Sequence, residues 1–245
     1  MTALSGVASL LQRNLDAVRT RIAAAAAKGG RTADSVRLVA VTKSVGADVV
    51  RELLPLLPTP EFGENRIADA EERAAAVPAG PTWHLIGHLQ ANKVRRALNL
   101  FSWVHSVDDL DLLARIDRIA QELGRRPRIL LQVNVSGEAS KSGCTPEALR
   151  PLAQAAAAAR HVEVVGLMTM APLDREPEAS RPWFRALRQL RDELARTGDM
   201  PAEFVHLSMG MTNDFEIAVE EGATLVRVGR ALFLGLGDSS AGPHR

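Results

Sequence analysis

Tyrosine is absent from this 245-residue chain, and cysteine occurs once, at Cys144. The first absence removes every mechanism in which the chain itself supplies a phenolic acid or base. The second excludes an intramolecular disulfide and points to a reducing compartment. Net charge is nearly missing too, at +1. No strong field therefore steers the chain to nucleic acid or anionic lipid, and the pairs Arg95-Arg96 and Arg125-Arg126 read as solvated positions. No apolar run approaches the ~20 residues that a membrane helix needs. The start, Met1-Thr2-Ala3-Leu4-Ser5-Gly6, lacks the charged and apolar regions of a signal peptide. The expectation is a cytoplasmic protein with neither nucleic acid nor membrane as partner. Metal-ligand spacing is also missing, because His84, His105, His161 and His206 lie in or beside strand-like runs. Cys144 sits in Lys141-Ser142-Gly143-Cys144-Thr145 without a nearby His-Asp arrangement, and reads as incidental.

What is present is a repeating pattern. From residue 5 to 28, Leu11, Leu15, Val18 and Ile22 recur at the spacing of one helix face, and Gly29-Gly30 ends the run. After it come eight short apolar or β-branched runs, at 36–42, 61–63, 83–87, 101–105, 128–135, 162–168, 204–207 and 224–228. Helical stretches separate them at 48–57, 65–77, 92–100, 108–123, 145–160, 177–196 and 212–221. Asp108 is placed to cap one helix and Thr145, followed by Pro146, another; Gly124 and Gly222 stand where helices end. Strands alternating with helices predict a parallel sheet covered by helices. Eight such units in this length fit a single (β/α)8 barrel of the TIM type with an extra N-terminal helix better than an open doubly wound sheet. That barrel is expected over residues 1–236, with 237–245 as a flexible tail.

In such a barrel the residues at the carboxyl ends of the strands converge on one mouth. Lys43 follows strand one, Asn65 strand two, Met168-Thr169-Met170 strand six, Ser208-Met209-Gly210 strand seven and Arg227-Val228-Gly229 strand eight. An imine-forming lysine must present a neutral amine, and burial in an apolar mouth favours one. The run Leu38-Val39-Ala40-Val41 before Lys43 is compatible with that. Barrels commonly hold phosphate at the loops after strands seven and eight, on backbone N–H groups and a helix start. Here Ser208-Met209-Gly210-Met211-Thr212 leads into a helix, and Gly229-Arg230 follows strand eight. The same segment reads equally as plain capping, with Thr212 or Asn213 at the cap and Glu216 completing a box from Asn213. Met168, Met170, Met209 and Met211 read as packing at the mouth. An amine able to form an imine, with a phosphate site opposite, is the minimum for holding pyridoxal 5'-phosphate.

These residues resemble the pyridoxal phosphate homeostasis proteins, single-barrel proteins similar to the N-terminal domain of alanine racemase (fold type III). The resemblance runs from about Leu38 to Gly235. It rests on Ala40-Val41-Thr42-Lys43, Phe62-Gly63-Glu64-Asn65, Trp83-His84-Leu85-Ile86-Gly87-His88-Leu89-Gln90-Ala91-Asn92-Lys93 and Gln132-Val133-Asn134-Val135-Ser136. It continues through Ser140-Lys141-Ser142-Gly143, Gly166-Leu167-Met168, Ser208-Met209-Gly210-Met211-Thr212-Asn213-Asp214 and Val226-Arg227-Val228-Gly229. It implies a covalent internal aldimine at Lys43, and phosphate contacts from Ser208, Gly229 and the Arg230 backbone. Asn65 and Met168 would line the cofactor, Met209, Gly210 and Thr212 would belong to its binding loop, and Arg227 would face the pyridine nitrogen. A guanidinium only donates, so that nitrogen must stay unprotonated, which makes the ring a weaker electron sink. Two positions depart from the family pattern. Arg230 stands where Thr or Ser is usual, and Leu234 replaces a glycine before Gly235.

Three functions compete at this point. One is reversible binding of the cofactor, with buffering or delivery to apo enzymes and little turnover. Another is an amino-acid racemase; the alanine racemase pattern needs a tyrosine opposite the lysine, and this chain has none. The last is a cofactor-free Schiff-base aldolase, which leaves the whole-chain resemblance unexplained. The carrier reading leads, with a monomer expected because no second domain builds a site between subunits.

Overall fold

The computed structural model describes residues 6–172 and 176–236. The expected tail at 237–245 lies outside the described residues, as does Ser5, the expected first residue of the N-terminal helix. The chain opens on α1 (Gly6–Lys28). Then strands and helices alternate: β1 (Arg37–Val41), α2 (Ala47–Leu53), β2 (Glu61–Glu64), α3 (Ile67–Ala76), β3 (Thr82–Leu85) and α4 (Val94–Leu100). They continue with β4 (Trp103–Val107), α5 (Leu110–Leu123), β5 (Arg128–Gln132), α6 (Pro146–Ala158) and β6 (Glu163–Met168). The last units are α7 (Arg181–Arg196), β7 (His206–Ser208), α8 (Phe215–Glu220) and β8 (Leu225–Val228). The eight strands form a closed parallel barrel in chain order, sealed where Val39 and Ala40 of β1 pair with Arg227 and Val228 of β8. The expected (β/α)8 barrel with its extra helix is the fold.

Leu11, Leu15, Val18 and Ile22 are buried, so α1 lays one apolar stripe against the barrel's outer layer beside α8 and α2. Each fully buried leucine there contributes about 1.5–3 kcal/mol relative to an exposed one. Arg21 pairs with Glu216 at 2.6 Å and Lys28 with Glu220 at 3.3 Å, so α1 is also tied to α8 by charge. The caps of α5 and α6 follow local chemistry, with one correction. Thr145 Oγ1 accepts the N–H of Ala148 at 3.3 Å, and Gly124 closes α5 at φ 61°. The cap of α5 is Asp109, not Asp108: its Oδ1 accepts the N–H of Leu112 at 2.7 Å. Asp108 instead sits half-buried, its carboxyl raised by burial.

Side chains two apart on a strand share a face. The inward set Val39, Trp103, Leu130, Val165, Met168 and Leu225 forms a small apolar cluster inside the barrel, distinct from the larger core between sheet and helices. Beside it, other inward positions carry polar groups: Glu61, His84, His105, Ser208 and Arg227 are all buried. The register of β5 on β6 shifts between Ile129 and Leu130, and Gly166 takes φ 155° just past that irregularity. A Cβ there would lie 1.9 Å from the His206 carbonyl oxygen, so only glycine lets β6 approach β7.

Candidate functional site

A cavity of about 920 Å³ opens where the strands end. That is the size and position at which barrels bind small molecules. Lys43, Asn65, Thr212, Arg227, Gly229 and Arg230 all line it. Met168, Ser208, Met209 and Gly210 lie beneath the wall, fully buried or nearly so. Met168 belongs to the apolar cluster inside the barrel, and Met209 to the outer core, so the expected lining role of Met168 is not realised. Of the four methionines expected at the mouth, Met170 and Met211 line the cavity.

Lys43 is two residues beyond β1, in an exposed turn, so the expected apolar burial of its amine is not found. The turn itself is clamped from below. Thr42, fully buried, donates its hydroxyl to the Glu64 carboxylate. Arg73 of α3 approaches Glu64 at 3.3 Å and donates Nε and Nη2 to the Val45 carbonyl at 3.1 and 2.9 Å. Burial raises the Glu64 carboxyl despite those partners. The contacts hold the backbone on both sides of Lys43 while leaving its side chain free.

Across the cavity, the loops after β7 and β8 offer donors. Among the described residues, the N–H groups of Thr212, Asn213, Gly229 and Arg230 have no acceptor within the chain. Four unpaired N–H groups on two adjacent loops suit a multivalent oxyanion such as a phosphate. Gly229 is required for closeness: a Cβ would stand 2.9 Å from the Val41 carbonyl oxygen, so β8 passes tight against the end of β1. Arg230 Nη2 donates to Asn213 Oδ1 at 3.1 Å and links the two loops. The expected capping box does not form. Asp214 takes the N-cap position of α8 and accepts the Met211 N–H at 2.6 Å, while Glu216 is turned to Arg21.

Arg227 forms the inner wall. It is buried, and no carboxylate lies within ion-pair distance among the described residues. Its Nη1 donates to Ser208 Oγ at 2.7 Å and its Nη2 to the Thr169 carbonyl at 2.9 Å. Burial pushes it down to about 10, with Asp214 opposing, so it remains a cation at neutral pH. A buried cation without a bonded carboxylate favours an acceptor in the cavity. The wall's cations, Lys43, Arg227 and Arg230, outnumber its carboxylates, Glu176 and Asp214, and with four spare N–H groups they fit an anionic ligand that also carries an acceptor atom. Ser208 does not fit the phosphate role expected of it, because its hydroxyl is engaged below the wall by Arg227 and His105.

Gln132 and Ser142, which belong to the resembling motifs but carried no expected role, also stand on the cavity wall. Gln132 Nε2 donates to the Ser142 carbonyl at 3.0 Å and ties the loop after β5 to the strand end. Lys141 pins that same loop to the segment after β6, donating to the Ala171 carbonyl at 2.5 Å. Nothing local marks Gln132 as polar wall; only its place as the last inward residue of β5 does. Asp214, at the N-cap position of α8 and bonded back to the Met211 N–H, also lines the cavity, a place its neighbours in sequence do not mark.

A family model described as alanine racemase, N-terminal domain, matches residues 13–236. The chain is similar to the pyridoxal phosphate homeostasis protein of Pseudomonas aeruginosa, 41% identical over 227 residues, covering 92% of this chain and 95% of that one. Its counterpart of the same description in Aquifex aeolicus is 39% identical over 220 residues, at 89% and 95% coverage. Among solved structures it is similar to PipY of Synechococcus elongatus with PLP bound, at 36% identity and TM-score 0.79, covering 91% and 99% of the two chains. Alanine racemase of Clostridium difficile, 15% identical with TM-score 0.72 and covering 92% and 56%, shares the fold. Among the described residues no helix is long and apolar enough to cross a membrane.

Proposed function

The chain belongs to the pyridoxal phosphate homeostasis protein family, and from that membership we propose that it binds pyridoxal 5'-phosphate reversibly and buffers or delivers it, with little turnover of its own. The observation that carries the reading is the shared cavity: Lys43 stands on one side and the spare N–H groups of Thr212, Asn213, Gly229 and Arg230 on the other. When bound, the cofactor supplies an aldehyde that condenses with amines and a ring that withdraws electrons. In this reading Lys43 is the covalent attachment point, and its exposure suits exchange with other amines. The loops after β7 and β8 grip the phosphate through backbone donors, with the Arg230 guanidinium adding charge to the grip. Arg227 donates toward the ring nitrogen and keeps it unprotonated. Asn65 lines the cavity between these groups.

The missing phenol supports low turnover by the alanine racemase route, which leaves Lys43, His88, Glu176 and Asp214 as the acid–base groups of the cavity. Racemisation needs a proton donor or acceptor on each face of the substrate carbon. No tyrosine exists to supply the second one, from this chain or from an identical partner. Delivery to apo enzymes, a monomeric state and a cytoplasmic setting belong to the same proposal.

The test is spectroscopic and covalent. Purified protein mixed with pyridoxal 5'-phosphate is expected to develop a visible band, and borohydride followed by peptide mapping to mark Lys43. A label on Lys93 or Lys141 in its place refutes the site. Amino-acid interconversion at enzymic rates that Lys43→Ala abolishes refutes the low-turnover part.

A further inference from the structure

The barrel interior holds a line of polar side chains running from its floor to the cavity. Glu61, the first residue of β2, is salt-bridged by Arg37 through Oε1. Its other oxygen, Oε2, faces His84 Nε2 at 3.6 Å, and neither atom has a hydrogen-bond partner among the described residues. His84 Nδ1 lies 3.0 Å from His105 Nε2, and His105 Nδ1 lies 2.9 Å from Ser208 Oγ. Ser208 Oγ then accepts Arg227 Nη1 at 2.7 Å. Glu61, His84, His105, Ser208 and Arg227 are all buried. Trp103 stacks on His84 with centroids 5.2 Å apart and interplanar angle 22°, which fixes the ring plane.

With Glu61 ionised against Arg37, the protons in this line have one order that sets no lone pair against another. Burial holds both imidazoles well below their usual range, so each carries a single N–H. A carboxylate oxygen facing His84 Nε2 attracts a hydrogen on that nitrogen. His84 Nδ1 is then bare and must accept from His105 Nε2–H. His105 Nδ1 is bare in turn and accepts the Ser208 hydroxyl hydrogen. That leaves Ser208 Oγ only lone pairs for Arg227, whose guanidinium can only donate. In the opposite order, a bare Nε2 would face the carboxylate and nothing would hold the direction.

We propose that Glu61, His84, His105 and Ser208 are positioning residues, a proton-ordered chain that keeps both histidines as Nε2–H tautomers and fixes the Arg227 guanidinium in the cavity wall. The chain sets an oxygen lone pair against a buried cation that has no bonded carboxylate, and leaves its remaining donors for the cavity. It also commits the only hydroxyl hydrogen of Ser208. The part concerning the ligand rests on the function proposed above; the proton order does not.

Glu61→Gln gives the sharpest test. Arg37 holds the Oε1 position, so the glutamine carbonyl takes that place and its NH₂ turns to His84 Nε2. Both histidines should then switch together to Nδ1–H tautomers. Long-range ¹H–¹⁵N spectra of cofactor-free protein at neutral pH read this directly, with His84→Gln and His105→Gln for assignment. Wild type with either ring as Nδ1–H or imidazolium overturns the proposal, and so do unchanged tautomers in Glu61→Gln. Should that variant not fold, Ser208→Ala serves. It is expected to retain the Nε2–H order, lose the slowly exchanging Arg227 Nη1–H signal while Nη2–H stays on the Thr169 carbonyl, and bind pyridoxal 5'-phosphate about tenfold more weakly. Ser208→Thr should restore both. An Arg227 signal and affinity unaltered in Ser208→Ala overturn the positioning role. Wild type that binds no cofactor, yet shows the tautomer order and its reversal, defeats the functional reading and upholds the chain.

Discussion

Arg73 of α3 grips the carbonyl oxygen of Val45 with two donors, Nε at 3.1 Å and Nη2 at 2.9 Å, two residues beyond Lys43. The turn that presents the lysine is therefore held by a helix outside the barrel, through a guanidinium that also neutralises Glu64. Arg73→Ala removes both contacts and leaves a buried carboxylate without its cation. A loss of about 2–3 kcal/mol is expected, which lowers Tm by about 5–10 °C in a domain of this size. Arg73→Lys recovers little, because an ammonium cannot repeat the fork. Thermal melts of the three proteins check this, and slower covalent capture at Lys43 in both variants would show that the turn matters for presentation.

Asn213 and Arg230 join the two loops that carry the spare N–H groups. Arg230 is exposed, so Arg230→Ala should change stability by no more than about 0.5 kcal/mol. Its effect should fall on ligand grip: about fivefold weaker binding of pyridoxal 5'-phosphate, with the deficit shrinking as salt rises. Arg230→Thr, which restores the hydroxyl usual in the family, should bring affinity back to within about twofold. Titrations followed by absorbance at two salt concentrations separate these outcomes. Equal affinity for wild type and Arg230→Ala at low salt would remove the guanidinium from the grip.

Acid should destabilise the protein before its exposed carboxylates titrate. Burial lowers His206 to about 4 from its usual 6.5, and holds His84 and His105 well down as well. A base that is harder to protonate when folded gives stability that is complete above pH 6.5. That stability is lost as pH falls, for His206 down to about 4. His206 alone should cost about 1–1.5 kcal/mol at pH 5.5 relative to neutral. Glu61 and Glu64 act in the opposite sense, since burial raises both and acid relieves it. Urea midpoints at pH 7.5 and 5.5 measure the balance, and His206→Gln should show the smaller drop.

Cys144 should be silent toward alkylation in the native protein. It is buried beside Asp108, and its thiol is pushed up to about 11. Roughly one molecule in three thousand then carries a thiolate at pH 7.5. Iodoacetamide labelling should track unfolding by urea; rapid labelling without denaturant would contradict the packing around α6.

The strand and helix order was legible because periodicity is a property of neighbours along the chain. The alternation of apolar runs and amphipathic stretches requires helices on a parallel sheet, and eight units close it. The lysine, the glycines and Arg227 were legible as chemistry at strand ends for the same reason. Helix starts were less so: Asp108 and Asp109 are equally good caps on paper, and only the backbone direction leaving β4 selects Asp109. The alternative box at Asn213 does not form: Asn213 Oδ1 accepts from Arg230 of the neighbouring loop, Glu216 pairs with Arg21, and Asp214 holds the N-cap position.

By itself the sequence determined the barrel, the N-terminal helix and the identity of the groups able to reach its mouth. It could not decide depth. Ser208 sits one layer below the cavity and Lys43 stands exposed above it, because which side of a strand faces inward, and how far its end projects, depends on pairing with strands distant in the chain. The line from Glu61 to Arg227 spans 166 positions of numbering and exists only once five strands have closed around one axis. Hydrogen bonds act over about 3 Å, so contacts of that kind are settled by closure of the sheet and not by local pattern.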